Sequence, residues 1–372
     1  MPSKFLFGLA IFALLFPATF VSAQELYDEY QGTFRGEVIE VVDEEVREVP
    51  GTGTDQIFQT IRAQVLDGPI EGRVVTIEND FLELERGDKF YFNYYKYIDG
   101  SEQYGVTTID RKDSLIILAV LFVFTVVLFG GMQGVRSLIA LAGSFLIIFY
   151  VLLPGLLNGW NPLVASVLVA GGILFAAIFF THGFNRESAV AYGGTMIAVL
   201  ITSIVAILAV QGADLSGFNA EEAVYLNLNT GGTLNFTALL LGAIIIGALG
   251  VLDDIAVTQA AVVTELFSSN KEMTRREAYM RAIRVGREHV GALVNTLVLA
   301  YTGAALPLLL FFHLSSASFG SLINSELFAT EIVRTIVGSI GLILTVPIVT
   351  LLAVFYLKGY TPKNKHVHPH TH

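Results

Sequence analysis

The sequence predicts an α-helical polytopic membrane protein of about seven transmembrane helices that carries one small extracytoplasmic all-β domain, an OB or SH3-like barrel. Three observations carry that expectation. The chain of 372 residues is 53% hydrophobic and only 15% charged, with a mean hydropathy of +0.64, which is too apolar for an ordinary soluble domain. Its long apolar runs all follow Ser114 apart from one at the N-terminus, whereas residues 24–113 hold 21 of the 33 acidic residues and 9 of the 22 basic ones. Lys and Arg fall on alternate connections between the runs.

Residues 1–23 read as a secretory signal peptide: Lys4, the apolar run "FLFGLAIFALLF", then "VSA" with a cut expected after Ala23. The competing reading is an anchor helix that stays attached. Either way the segment that follows is exported. The chain has no cysteine, so disulfides, thiol catalysis and cysteine metal sites are excluded.

Residues 24–113 form the water-facing β domain. "FRGEVIEVV", "QIFQTIRAQVLDG", "RVVTIEND", "DKFYFNYYKYI" and "QYGVTTI" are rich in Val, Ile, Phe, Tyr and Thr and are separated by turn residues, which predicts five strands. "PGTGTD" lacks the third glycine and the following helix of a phosphate cradle and reads as a hairpin loop. "YFNYYKY" reads as a half-buried strand; a ligand-stacking face is the alternative. The domain's acidity argues against nucleic acid or anionic lipid as its partner.

The helical domain spans 114–357, with apolar segments at 114–131, 136–157, 162–182, 188–210, 235–257, 291–313 and 333–357. The connections after the first, third, fifth and seventh hold Arg136, Arg186, Lys271, Arg275, Arg276, Arg281, Arg284, Arg287, Lys358, Lys363 and Lys365, whereas 158–161, 211–234 and 314–330 hold no Lys or Arg. The positive-inside rule then puts the β domain outside and the C-terminus in the cytoplasm.

Within this apolar body "GALGVLDDIAVTQ" carries Asp253 and Asp254. A charge at the centre of a spanning helix costs about 2.5–3.5 kcal/mol on insertion scales, so the pair needs a compensating role. Counted from a helix start near Leu239, the two lie roughly 21–23 Å along the axis, on the cytoplasmic half. Gly247, Gly250 or Val251, Asp254, Thr258, Ala261 and Glu265 share one small, polar stripe, which suits close approach of another helix. Asn295, Thr296, Tyr301 and Thr302 are expected partners on the next helix. Desolvation and like charge both disfavour simultaneous ionisation, so the pair is expected to exchange protons in the physiological range. The coupling set is Asp253, Asp254, Thr258, Gln259, Glu265, Asn295 and Thr296. The alternative is an inner-boundary pair that caps a cytoplasmic helix.

Thr274 with Glu277 forms a capping box, so an amphipathic cytoplasmic helix is expected over 274–290, with Tyr279, Ala282, Ile283, Gly286 and Val290 on its apolar side. It reads as a membrane-surface helix held by anionic lipid, or as a lever joined to the aspartate helix. In "THGFNRES", His182, Arg186 and Glu187 form an inner turn that Asn185 or Ser188 caps, with a gate role as the sharper reading. Glu331 and Arg334 are spaced to pair. The tail 358–372 ends in "HVHPHTH" and reads as a disordered cytoplasmic tail; no cofactor or metal is expected.

The run "IIIGALGVLDDIAVTQAAVVTEL", followed by "TRREAYMRAIRVGREHVGALVNTLVLAYTGAALPLLLFF", resembles the YibE/F family of bacterial multi-spanning membrane proteins, and the signal, β domain and seven spans fit as well. That resemblance implies a bacterial cell membrane location and covers nearly the whole chain. The Asp pair, the later glutamate and the basic alanine-rich helix are also similar to the fourth and fifth transmembrane helices of RND-type exporters and to the matching part of Sec accessory proteins. The resemblance to those pumps implies that Asp253 and Asp254 are protonation sites. The pumps' opposing intramembrane lysine has no counterpart here, and Arg334 lies near the outer end of the last span.

Nucleotide hydrolase, serine hydrolase and zincin motifs are absent, and two aspartates about 100° apart on one helix cannot share a water as an aspartyl protease requires. No enzymatic activity is expected. The expected function is proton-coupled transport, or a subunit of a transport complex, acting on an unidentified small solute or ion within the lipid bilayer. The alternative is a non-transporting sensor or scaffold whose β domain binds a ligand or protein. The odd span count and missing counter-cation suit a homodimer or a paired homologue.

Overall fold

Alternating apolar and polar residues in the N-terminal third form strands because one face of each is buried and the other is wet. The computed structural model describes residues 30–360 except 49–52, 54, 98 and 220; the expected signal segment and the His-rich end of the tail lie outside the described residues. The chain divides into two compact units, Met1–Thr125 and Val126–His372.

In the first unit, β1 (Tyr30–Glu48), β2 (Asp55–Val65), β3 (Val74–Asn79), β4 (Lys89–Lys96) and β5 (Glu102–Ile109) make one antiparallel sheet in the order β3-β2-β1-β4-β5. All five expected strands are present. β1 pairs with both β2 and β4, and its register slips between Val38 and Glu40 and again between Val41 and Asp43. Such irregularities bend a strand, and the sheet curls into a half-barrel around Ile61, Ile77, Leu84, Phe90 and Phe92. "YFNYYKY" is half-buried as expected: Phe92 and Tyr94, with Phe90 before them, point inward, while Tyr91, Asn93 and Tyr95 are half-buried on the outer face.

The curl brings the two edge strands together at Glu102. Its carboxylate accepts bonds from Arg73 Nη2 at 3.0 Å, Tyr94 Oη at 2.8 Å and Tyr104 Oη at 2.7 Å. These donors, the Arg73 guanidinium first, hold the Glu102 carboxyl down to about 2, while burial pushes the Tyr104 hydroxyl up. A second buried knot joins Gln59 to Asn79 at 3.1 Å and to both backbone groups of Leu84.

In the second unit, helices begin where Asn or Thr caps them. Asn161 accepts from Val164 N, Asn185 from Ser188 N, Asn235 from Ala238 N and Thr274 from Glu277 N, so Asn185 is the cap that "THGFNRES" supplies. The helices are α1 (Lys112–Ile147), which starts in the first unit and continues through a π turn at Ile148–Leu152 into α2 (Leu153–Leu157), then α3 (Pro162–His182), α4 (Arg186–Gly212), α5 (Glu221–Asn229), α6 (Phe236–Ser269), α7 (Arg275–Ala304), α8 (Leu306–Leu314), α9 (Phe319–Ile323) and α10 (Glu326–Tyr356). Among the described residues, five helical segments are long and apolar enough to cross a membrane, and a sixth forms if α7 and α8, bent by 63°, are taken together. Pro307 at the start of α8 accounts for that bend.

Two expected boundaries differ. The segments 114–131 and 136–157 lie in one continuous stretch, but Gly131 sits at φ 53°, ψ −139° and breaks its helix. Gly134 then packs against the Val126 carbonyl, although residues eight apart in a straight helix stand about 12 Å apart. The capping box at Thr274 starts α7 as expected, but that helix runs on without a break to Ala304. Residues 275–290 are therefore the first half of a longer helix, with Ala278, Ala282 and Gly286 buried.

Central to the bundle is α6, which packs against α3, α4, α7 and α10. Close approach needs small residues: a Cβ on Gly194 of α4 would meet Val349 Cγ2 of α10 at 2.6 Å, and Gly341 of α10 lies against Thr202 of α4. Glu326, the first residue of α10, accepts from Ser216 N and Gly217 N, both at 2.7 Å.

Replacing Glu102 by Gln is expected to destabilise the β domain by about 1–3 kcal/mol at neutral pH. Because the folded carboxyl is held below its ordinary value, its contribution is present above about pH 4.5 and is lost as the pH falls towards about 2. Melting of wild type and Glu102→Gln across that range checks this, since the two should converge at the acid end.

Candidate functional site

An apolar helix positions its polar residues by angle and depth. Measured from the observed start at Phe236, three residues earlier than expected, Asp253 and Asp254 lie about 26 and 27 Å along α6 at 1.5 Å per residue. Asp253 is half-buried and Asp254 exposed, and Asp253 Oδ1 accepts the Asp254 backbone N–H at 3.0 Å. Among the described residues no Lys, Arg or His forms an ion pair with either.

The buried arc of α6 contains Ala248, Leu252, Ile255, Ala256, Gln259 and Val263. Asp254 follows Leu252 by two residues and so lies about 200° round, nearly opposite. Gly247, Gly250, Ala261 and Glu265 share that outer face and are exposed, with Thr258 half-buried. Of the small polar stripe expected to meet another helix, Gly247, Gly250, Asp254 and Ala261 are exposed, and Tyr301 Oη of α7 comes to 3.0 Å from a Cβ built on Gly247.

Among the described residues no hydrogen bond joins the aspartates to Asn295 or Thr296. Both are exposed, and Thr296 donates to Ala292 O of its own helix at 3.0 Å; Thr302 likewise donates to Val298 O at 2.7 Å. An ionisable group from another helix does act on Asp254, and the sequence placed it only at an inner turn. Ser166 of α3 sits against Gly242 of α6, the two helices descend side by side, and His182 at the foot of α3 comes within electrostatic range of both Asp254 and Glu187. The sequence showed His182 at an inner turn but could not show that α3 and α6 are neighbours.

Gln259 is the other polar centre, and it is 0% exposed. Its Nε2 donates to Ala282 O of α7 and to Thr350 Oγ1 of α10, both at 2.8 Å, while its Oε1 has no hydrogen-bond partner. Gly286 makes room for it, since a Cβ there would stand 3.0 Å from Gln259 Oε1 and 2.5 Å from Val346 Cγ1. One amide thus ties the aspartate helix to two neighbours a little over one turn below Asp254. Thr350 and Gly286 could not be assigned to this knot from the sequence because nothing in it sets the register of α7 and α10 against α6.

A charged pair lies near the start of α10, where Arg334 Nη1 donates to Glu331 Oε1 at 2.7 Å, as their spacing predicted. The family model described as YibE/F-like protein matches residues 118–359, which contain all of these groups. The chain belongs to the YibE/F-like family. No match to the chain was found among curated proteins or among solved structures. The match takes in the helical body from early α1 to just past α10, so the aspartate pair, His182 and the Gln259 knot lie in the YibE/F-like part, and the five strands precede it.

Gln259→Leu and Thr350→Val are each expected to destabilise this YibE/F-like bundle by about 1–2 kcal/mol, because each removes a buried hydrogen bond. A double-mutant cycle on detergent-solubilised protein should give a coupling of about 0.5–1.5 kcal/mol; additive losses would show that the two side chains act independently.

Proposed function

We propose that this YibE/F-like protein is a proton-coupled membrane transporter, or the membrane subunit of a transport complex, in which Asp253 and Asp254 take up and release protons. The observation that carries this reading is a contrast within one bundle. Glu331 is neutralised by Arg334 one turn away, whereas Asp253 and Asp254 stand in an apolar helix without a bonded cation among the described residues. A permanently ionised pair at that depth would carry an uncompensated insertion cost; neutralisation by protons removes it. His182 near Asp254 supplies a second titratable group on the cytoplasmic side.

The finer architecture follows the same reading. Counting the break at Gly131 as a division into two spans, and bent α7 and α8 as one, restores seven. The Lys and Arg distribution supports a bacterial cell membrane protein with an extracytoplasmic β domain and a cytoplasmic C-terminus. The order β3-β2-β1-β4-β5 favours the OB-type barrel, left open between β3 and β5. The exposed stripe around Asp254 suits a homodimer or a paired homologue, and the transported species is a small solute or ion.

A second reading, a sensor or scaffold, has its own support. Tyr30 and Tyr95 approach to 5.5 Å on the outer face of the β domain, and Thr33 donates to Asn93 at 2.6 Å beside them, forming an aromatic and amide surface of the kind that binds ligands.

Infrared titration of reconstituted protein separates the two. For the transporter, a protonated-carboxyl band that titrates in the physiological range is expected in wild type and should be lost in Asp253→Asn or Asp254→Asn, together with the protein's proton response. If both variants keep the band and the response, transport coupling at this pair is wrong and the sensor reading takes its place.

A further inference from the structure

Where β5 leads into α1, the first unit forms an open crevice of about 450 Å³. Its rim is polar, with Tyr91, Asp110, Arg111 and Lys112, and its floor is apolar, with Leu115, Ile116 and Ala119. The rim is held by the backbone and by short bonds. Asp110 N donates to Lys89 O at 2.7 Å, one Asp110 oxygen accepts from Lys112 N at 3.0 Å, and Arg111 Nη1 donates to Thr108 Oγ1 at 2.8 Å. One Asp110 oxygen, the remaining Arg111 N–H groups and the Lys112 ammonium are left to meet a ligand. Arg35 is within electrostatic range of Tyr91 and Asp110, but it is engaged by Asp67 at 2.8 Å.

The floor identifies the kind of occupant. Leu115 and Ile116 are 60% and 50% exposed, and they open a helix long and apolar enough to cross a membrane, so the occupant carries a hydrocarbon chain. The rim identifies its headgroup. A guanidinium and an ammonium suit a phosphodiester, and a carboxylate with a phenol beside it suits a primary ammonium. A net anionic lipid would meet the field of the acidic domain, whereas a zwitterion carries no net charge into it.

We propose that this crevice binds a phosphoethanolamine-type phospholipid, with the phosphate on Arg111 and Lys112, the amine on Asp110 and Tyr91, and an acyl chain along Leu115, Ile116 and Ala119. The site is independent of the aspartate pair and of any transport activity.

The test is native mass spectrometry of the full-length chain in detergent, titrated with phosphatidylethanolamine, phosphatidylcholine and phosphatidylglycerol of identical acyl chains. The wild type is expected to bind phosphatidylethanolamine about threefold or more tightly than the other two, as one additional exposed ion pair allows. Asp110→Asn should abolish that preference, and Arg111→Gln with Lys112→Gln should weaken all three lipids. Ala119→Trp, which fills the floor and leaves every charge in place, should reduce binding of phosphatidylethanolamine. Soluble glycerophosphoethanolamine should not compete at matched concentration. Equal binding of the three lipids, a preference for phosphatidylglycerol, full competition by the soluble headgroup, or a preference unchanged in the Asp110 and Arg111/Lys112 variants would each overturn the assignment.

Discussion

A polar group inside hydrocarbon has no water to turn to, so every one must find its partner within the protein. The bundle meets that constraint mostly inside each helix. Thr195, Thr202, Ser203, Thr264, Thr345 and Thr350 each donate to the carbonyl four residues earlier, which lets an apolar helix carry hydroxyls at little cost. Gln259 is too long and too polar to be satisfied that way, and it reaches across to two other helices instead. Gln259 is thus the side chain without a local solution that ties α6 to its neighbours, while the aspartates have no bonded cation among the described residues.

The two units handle charge in opposite ways. In the β domain the carboxylate of Glu102 is surrounded by an Arg and two Tyr hydroxyls, and its proton is held off because three donors favour the ionised form. The same chain gives Asp253 one hydrogen bond, from the Asp254 backbone N–H, and sets His182 within electrostatic range of Asp254. Three side-chain donors surround the carboxylate in the β domain, and none bonds the pair on α6 among the described residues.

Much of this was legible in the sequence because it depends on local pattern. Runs rich in Val, Ile, Phe, Tyr and Thr between turn residues gave all five strands, and length with apolarity gave the long helices. The Thr274 capping box and the Glu331–Arg334 pair are contacts within a turn or so, which spacing alone sets. What could not be read depends on which helix faces which. The stripe of Gly247, Asp254 and Glu265 was recognised as a face, but α6 is buried along the opposite arc, around Leu252 and Gln259. The neighbourhood of His182 and Asp254 and the approach of Gly286 to Gln259 are matters of tertiary register. Nor does the sequence mark Gly131 apart from the adjacent Gly130, since only the backbone shows which of the two takes positive φ.

The clamp at Glu326 has a mechanical consequence. It fastens the turn after α4 to the first residue of α10, Gly341 against Thr202 locks the same two helices lower down, and Gly194 against Val349 locks them again. Two rods pinned at three heights behave as one stiff post, and the Gln259 bond to Thr350 fastens α6 to that post at a single side chain.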